Sequence, residues 1–383
     1  MSILEFLFWA SVGMLAYIYV GYPVLVLLLA ATHGKKLKRS PYTPNITLII
    51  PAYNEATCIR ETIKNKLELD YPKEKLQIIV VSDGSTDRTD EIVREFESEE
   101  ARLLRQEPRR GKTAALNLAV EKARGDILVF SDANSLYDAD ALRHLAAVFA
   151  DADVGYVTGR MVYAHPEDGA SVSKGCSTYM RYETLIRLAE TRAGSVVGVN
   201  GGIDAVRREL YRPMRADQQS DFVLPMIVVE RGFRVIFEPR AVLRETPLAT
   251  GKDEYRMRVR VSLRALHAMW DMKHLLNPFR YGVYSWQLLS HKLLRYLTFV
   301  PLSLLYVSSL SLFQRAPLFQ AAYAFQTALY LGGLLGWILD RHGRSSRMLI
   351  LPYYFCLLNL ASAHSLGAAL RGRRQSVWSP RKG

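Results

Sequence analysis

Cysteine is nearly absent: Cys58, Cys176 and Cys356 are scattered singly through 383 residues. That excludes a disulfide framework and a cysteine-based zinc site, and it fits a reducing compartment. Acidic residues are also short, 37 Asp and Glu against 50 Lys and Arg, which leaves a net charge of +13. No internal repeat and no low-complexity segment is visible, so neither a solenoid nor a disordered scaffold is expected. The N-terminal stretch lacks a basic flank and a small-residue cleavage site. Its apolar run is therefore read as a retained anchor rather than a removable leader.

Long apolar runs, by contrast, are plentiful. Leu4 to Ala31 contains a single charge, Glu5. Leu293–Phe313, Pro317–Leu339 and Met348–Leu370 are each about long enough to cross a hydrocarbon core. Lys35, Lys36, Lys38 and Arg39 follow the first run, which places the next domain on the cytoplasmic side of the inner (plasma) membrane. Other basic residues bunch beside the apolar runs. That placement favours anionic lipid head groups and argues against nucleic acid as a partner. Three later spans would put Arg341, Arg344 and Arg347 inside and the tail, with Arg371, Arg373, Arg374, Arg381 and Lys382, outside. Either the charge rule is broken once or one segment is re-entrant.

Between the runs, strand and helix patterns alternate. After a linker, Ser40 to Pro44, Ile46–Ile50 reads as a buried strand ended by Pro51. Thr57–Leu67, Asp87–Phe96 and Gly111–Lys122 read as helices, with Leu76–Val81 a second strand. Ile127–Phe130 is an unbroken apolar run, suited to a strand buried on both faces, and a helix follows from Asp138 to Phe149. Val154–Thr158 and Gly232–Phe237 add strands, and Ser173–Arg192 an amphipathic helix. The expected class is α/β, with a mostly parallel, doubly wound sheet. From Lys252 to Lys292, Arg256, Arg258, Arg260 and Arg264 mix with Met257, Leu263, Leu266, Met269 and Trp270, as in helices lying at a membrane interface.

Chemistry collects at strand ends. Pro51-Ala52-Tyr53-Asn54-Glu55 follows the first strand, Ser82-Asp83-Gly84-Ser85-Thr86-Asp87 the second, and Ser131-Asp132-Ala133-Asn134 the central one. Open α/β sheets bind ligands at that edge. A carboxylate and an amide oxygen at Asp132 and Asn134 suit a hard divalent cation bridging a diphosphate, although Asp-x-Asn alone is common in turns. A carboxylate such as Asp83 can accept the imide N–H of a uracil ring. Arg109-Arg110-Gly111-Lys112, just before a helix, offers positive charge to phosphates.

These residues together resemble the membrane-anchored bacterial group of family 2 glycosyltransferases with the GT-A fold. The motifs are PAYNE (Pro51 to Glu55), VVSDGSTDRT (Val80 to Thr89), GKTAALN (Gly111 to Asn117) and FSDANS (Phe130 to Ser135). GGIDAVRRELY (Gly201 to Tyr211), SDFVLP (Ser220 to Pro225) and GFRVIFEP (Gly232 to Pro239) follow in the family's order, and the likeness covers about Pro44 to Lys292. The resemblance implies an inverting transfer from a nucleoside-diphosphate sugar, with a lean to UDP. Pro51, Tyr53, Glu55, Asp83, Lys112 and Asp132 would then surround the donor. Asp132 and Asn134 would hold Mg2+ or Mn2+, with Asn134 replacing a second Asp. Asp221 would be the general base on the acceptor hydroxyl, with Asp217 a nearby competitor. Gly201 and Gly202 would let acceptor and backbone approach closely.

The same resemblance divides the chain into an anchor (1–34), a GT-A catalytic domain (44–250), interfacial helices (251–291), a C-terminal membrane region of about three spans (292–371) and a basic tail (372–383). One departure bears on the product. Processive polysaccharide synthases of this family carry Gln-x-x-Arg-Trp, where this chain reads Met257-Arg258-Val259-Arg260-Val261. Arg260 keeps a cation for the leaving diphosphate, but the Gln and the Trp are absent. The expectation is one or a few sugars added to a membrane-presented acceptor, a lipid-linked glycan. The alternatives are a processive exopolysaccharide synthase and, from another class, a non-catalytic nucleotide-sugar-binding component of an assembly complex.

Overall fold

In a computed structural model, residues 1–97, 101–163, 171–246, 250–344 and 346–374 are described, with side chains left out at 171–178. The side chain of Cys176 and the basic residues Arg381 and Lys382 lie outside the described residues.

One mixed sheet organises residues 46–245. Its strands are β1 (Ile46–Ala52), β2 (Leu76–Asp83), β3 (Ala101–Gln106), β4 (Ile127–Phe130), β5 (Leu136–Tyr137), β6 (Val154–Tyr163), β7 (Asp204–Arg207) and β8 (Arg234–Glu245). In space they run β3-β2-β1-β4-β7-β6-β8-β5. β3, β2, β1 and β4 are parallel, β6 and β8 pair in parallel, and β7 and β5 oppose their neighbours. The chain steps from β1 outward to β3, then returns to place β4 on the other side of β1. That reversal opens a crevice at the carboxyl ends of β1 and β4.

The helices are α1 (Ile3–Thr32), α2 (Ile59–Leu67), α3 (Thr89–Arg94), α4 (Lys112–Val120), α5 (Ala141–Val148), α6 (Ser171–Ala193), α7 (Ser220–Glu230) and α8 (Gly251–Asp271). α9 (Val283–Tyr296), α10 (Phe299–Ser311), α11 (Pro317–Arg341) and α12 (Arg347–Leu370) complete the chain. Alternate strand residues feed two cores. Leu48, Ile50, Ile78, Val80 and Val129 pack with Ile63 of α2, Val93 of α3 and Leu145 of α5. Ile49, Ile79, Val81, Leu128 and Phe130 pack with Leu116 of α4, Leu224 of α7 and Met269 of α8. Burial on both faces is why these strands read as continuous apolar runs rather than alternating ones.

Three expectations need correction. Pro51 does not end β1, because it pairs with Val81 inside the strand. Ile49 O accepts from Ser131 N at 3.0 Å on the β4 side, so position 51 faces that side too, beyond the last β4 pairing at Phe130. The missing proline N–H therefore costs no ladder bond. β8 likewise runs through Pro239, which falls at a register shift against β6. The sequence reading also missed β3, an edge strand with Arg102 and Arg105 on it, as well as β5 and β7.

α1, α11 and α12 are long and apolar enough to cross a membrane; α9 and α10 meet that test only as a pair, bent by 57° at their junction. α11 and α12 approach closely at glycines: a Cβ on Gly333 would lie 2.6 Å from Cys356 Sγ. α1 is tied to the rest through polar contacts. Tyr22 donates to Glu190 of α6, and His291 Nδ1 of α9 lies 2.7 Å from the same carboxylate. The start of the tail lies against the sheet domain and α8, with Arg374 paired to Asp217 and the Arg373 carbonyl 2.9 Å from His267 Nε2.

Candidate active site

The two strand-end loops beside the crevice are stitched together. Asn54, at φ 54°, takes a left-handed turn that asparagine tolerates better than most residues. Its Oδ1 accepts from Thr86 N at 2.8 Å, and its own N–H donates to Ser85 Oγ at 3.2 Å. Glu55 N donates to Thr89 Oγ1 at 2.9 Å, and Ala56 N to Asp87 Oδ2 at 3.1 Å. Above the loops, the Arg109 guanidinium sits 3.3 Å from the centre of the Tyr53 ring. The Glu55 carboxylate accepts from Cys58 Sγ at 3.2 Å. Burial, and then Glu55, push that thiol up to about 12, so it stays protonated and inert.

Asp83 is fully buried at the end of β2. Its oxygens accept from Gln106 Nε2, from Arg110 N at 2.8 Å and from Gly111 N at 2.9 Å. As placed, this carboxylate fixes the segment leading into α4. Gly84 lets that segment come close: a Cβ there, at φ +70°, would lie 3.3 Å from Arg109 Cβ.

The remaining residues converge around the Gly201–Gly202 turn. Lys112, first in α4, is ion-paired with Asp132 at the end of β4. Burial opposes the charge on Lys112, but Asp132, Asp221 and Asp204 outweigh it and hold its pKa above the ordinary lysine range. The turn Gly201–Gly202 separates two carboxylates. A Cβ on Gly201 would lie 2.3 Å from Asp221 Oδ2, and one on Gly202, at φ +98°, would lie 3.3 Å from Asp132 Oδ2. Asp221 itself stands in the first turn of α7.

Asp204 escaped the sequence reading. It opens β7 beside Phe130 and Thr158, almost fully buried. Burial and then the charge of Asp221 push its carboxyl well above the usual range, against the pull of Thr158, Lys112 and Tyr156. A carboxylate inside the strand-like run Ile203-Asp204-Ala205-Val206 was the available signal.

The nearby carboxylate Asp217 is engaged elsewhere. Asp217 is held by Arg215 and Arg374; these hydrogen bonds overcome burial and keep its pKa below the ordinary value. On α8, Arg264 lies within reach of the charges of Asp221 and Asp217. Burial lowers the Arg264 pKa, with Asp221 and Asp217 pulling it back up.

Asp132 and Asn134 share the β4 end and are both part-exposed. Among the described residues no group of three or more His, Cys, Asp and Glu is placed to hold a metal by protein ligands alone. One carboxylate and one amide suit instead a cation that takes its other oxygens from a bound diphosphate and water.

Residues 47–228 match the family model described as Glycosyl transferase family 2. "Probable glycosyltransferase YdaM" of Bacillus subtilis is 28% identical over 232 residues, 57% of this chain and 54% of its own length. The poly-beta-1,6-N-acetyl-D-glucosamine synthase of Staphylococcus aureus is 29% identical over 207 residues, 51% of this chain and 48% of its own. The chain thus spans about half the length of the curated relatives it matches. Among solved structures, the mannosyltransferase PcManGT from Pyrobaculum calidifontis, in complex with GDP-Man and Mn2+, has the same fold. It aligns with a TM-score of 0.73 at 23% identity, over 97% of this chain and 100% of that one.

Proposed function

Residues 47–228 are a family 2 glycosyl transferase domain on a GT-A sheet, and from that premise we propose that the chain is a membrane-attached, inverting glycosyltransferase. It moves one or a few sugars from a nucleoside-diphosphate sugar, a UDP-sugar by preference, to a lipid-linked acceptor at the cytoplasmic face. The carrying observation is the Gly201–Gly202 turn, with Asp132 on one side and Asp221 on the other. A donor diphosphate at Asp132 and an acceptor hydroxyl at Asp221 would meet beside this turn, where the two glycines add no side chain of their own.

The chemistry follows from that placement. Asp221 takes the proton of the acceptor hydroxyl as its oxygen attacks the sugar's anomeric carbon; the bond to the diphosphate breaks on the far face, and the nucleoside diphosphate leaves. Lys112 is positioned to pass from Asp132 to the diphosphate as donor enters. Mg2+ or Mn2+ held by Asp132 and Asn134 would neutralise the leaving group. Tyr53 and Arg109 form a flat cationic wall for the nucleoside, while Pro51 and Glu55 set the loop that carries it. Arg260 stays a donor-side proposal, with Arg264 the cation beside the base. Arg315, just past α10, pairs at 2.9 Å with Glu5 at the start of α1, so the bent α9–α10 pair is taken as a crossing. α11 then returns with Asp340 beside Gly251 of α8, which puts the loop with Arg341, Arg344 and Arg347 on the cytoplasmic side. α12, lying along α8 through Ser365 and Val259, is taken as the re-entrant segment, and the tail stays where Arg374 meets Asp217.

A processive synthase is the second reading, favoured by the name of one relative and disfavoured by Met257 and Val261 in place of the Gln and Trp. The test is to incubate purified full chain with a panel of nucleotide sugars and a membrane lipid extract. Nucleoside diphosphate release is assayed and products are weighed by mass spectrometry. Acceptor plus one or two sugars supports the proposal; long chains beside untouched acceptor overturn it in favour of the synthase. Donor binding without transfer would mark a silent nucleotide-sugar-binding protein.

A further inference from the structure

A cavity of about 890 Å³ lies among α1, α6, α8, α9, α10, α11 and α12, apart from the sheet-end site. Most of its wall is apolar, with Leu15, Leu305, Phe325, Leu329, Phe355 and Leu358 among the lining residues. One part is cationic, where Arg258, Lys292 and Arg295 line it. Arg295 is paired with Glu183, and Arg258 with Glu254 at 2.7 Å. Lys292 makes no hydrogen bond or ion pair among the described residues; the nearby carboxylates Glu183 and Glu190 are engaged by Arg295, His291 and Tyr22. The charges of Glu183 and Glu190 reach Lys292, but an ammonium in a helical bundle with no hydrogen-bonded partner among the described residues is expensive, and such residues mark ligand paths.

Two rare π-helical turns, Tyr17–Gly21 within α1 and Leu288–Leu293 within α9, meet at this place. Tyr17 Oη lies 2.7 Å from Ser290 Oγ and accepts from Trp286 Nε1 at 2.8 Å. The second turn carries Lys292 into the cavity wall. Single π turns recur at functional sites because they redirect side chains that a regular helix would aim elsewhere. Lys292 also reaches toward the transfer site: a Cβ on Gly198 would lie 2.3 Å from its Nζ, three residues before Gly201.

The geometry points to this cavity as the seat of the acceptor lipid, with a long hydrocarbon chain along the apolar wall and its phosphate or diphosphate on Lys292. The sugar beyond that phosphate is then delivered along residues 198–201 to Asp221, and to that extent the inference rests on the reading of Asp221 as the acceptor-side base. Binding itself needs only the cavity and the cation.

The experiment measures lipid binding to the full chain in detergent by native mass spectrometry, with a long-chain polyprenyl phosphate, the matching polyprenol and phosphatidylglycerol as probes. The polyprenyl phosphate is expected to bind at least about 10-fold more tightly than the other two. Lys292→Met should lower its affinity by about 10-fold or more, the scale of a lost charge-assisted hydrogen bond, and Lys292→Arg should restore most of it. Leu329→Trp, which narrows the cavity and keeps the cation, should also weaken binding, so the inference is tested even where Lys292→Met fails to fold. Equal affinity of Lys292→Met, or phosphatidylglycerol binding as tightly as the polyprenyl phosphate, overturns it; the latter would mean an ordinary bilayer lipid fills the space. Asp221→Asn separates the two readings, because it should retain lipid binding while transfer is lost.

Discussion

Adding one methyl group at Gly201 probes the site with little else disturbed. The backbone at 201 lies outside the left-handed region, so alanine there brings no conformational strain of the kind expected at Gly202 with φ +98°. The new Cβ would sit 2.3 Å from Asp221 Oδ2, whereas ordinary contact begins at about 3.4 Å, so the carboxylate must retreat by about 1.1 Å. A reacting group displaced by about 1 Å can lose on the order of 10²-fold in rate, or about 2.7 kcal/mol of barrier. Donor contacts at Asp132 and Lys112 are untouched by that movement. Gly201→Ala should therefore cut kcat about 10²-fold and leave the donor KM within about 2-fold of wild type. Initial rates of nucleoside diphosphate release, taken across donor concentration at saturating acceptor, read both quantities. A variant with wild-type kcat would refute the placement of Asp221 as base, and a raised donor KM with unchanged kcat would move Gly201 to the donor side.

Asp221→Asn should reduce transfer by about 10²-fold or more while donor binding persists, whereas Asp217→Asn should stay near wild type, because Asp217 serves Arg215 and Arg374; the opposite pattern in the same rate assay exchanges their roles. Asp132→Ala should abolish transfer, and excess chelator should do so reversibly, with Asn134→Asp active and tighter for cation. Full activity in chelator would remove the metal from the scheme. Asp204 carries a pH prediction. Its folded pKa is raised, so above the unfolded value of about 3.9 the folded state keeps a proton that the unfolded state has released. That contribution is complete below the unfolded pKa and fades as pH rises through the folded one, at up to about 1.4 kcal/mol per pH unit. Asp204→Asn should flatten this slope. Melting temperatures of the two proteins measured side by side across that window check it, and parallel curves would contradict a protonated Asp204.

The parts of the fold that could be read from the chain are those where one residue's neighbourhood is set locally. β1, β2 and β4 announce themselves as apolar runs because both faces are buried, and their carboxyl ends and the turns that follow carry PAYNE, the DGS turn and SDAN. β3 gave no such signal, since an edge strand with Arg102 and Arg105 keeps half its surface in water. Contacts between distant segments were legible only through the family resemblance or not at all. Lys112 meeting Asp132 depends on how α4 docks beside β4, and Gly201 meeting Asp221 on how β7 and α7 dock; no local pattern states either. Arg264 illustrates the same limit: it belongs to no motif, yet the docked phase of α8 brings it within reach of the Asp221 charge. Asp204 was visible as an acid in an apolar run but could be given no partner before Phe130 and Thr158 were known to flank it.

The first helix has a practical meaning beyond its length and apolarity. Tyr22 of α1 satisfies Glu190, a carboxylate in the same helix as Glu183, and Trp286 and Ser290 of α9 both reach back to Tyr17. Lys35 N, just past that helix, donates to Arg192 O at 2.8 Å. Cutting the chain before Pro44 to obtain a water-soluble enzyme would therefore not release a tethered domain. It would remove one wall, strip a buried acid of its phenol, and leave apolar residues of α6 such as Ile186 and Ala189 facing water. The first helix behaves as the protein's first piece of interior, and preparations that keep it are the ones in which the rest can be expected to hold its shape.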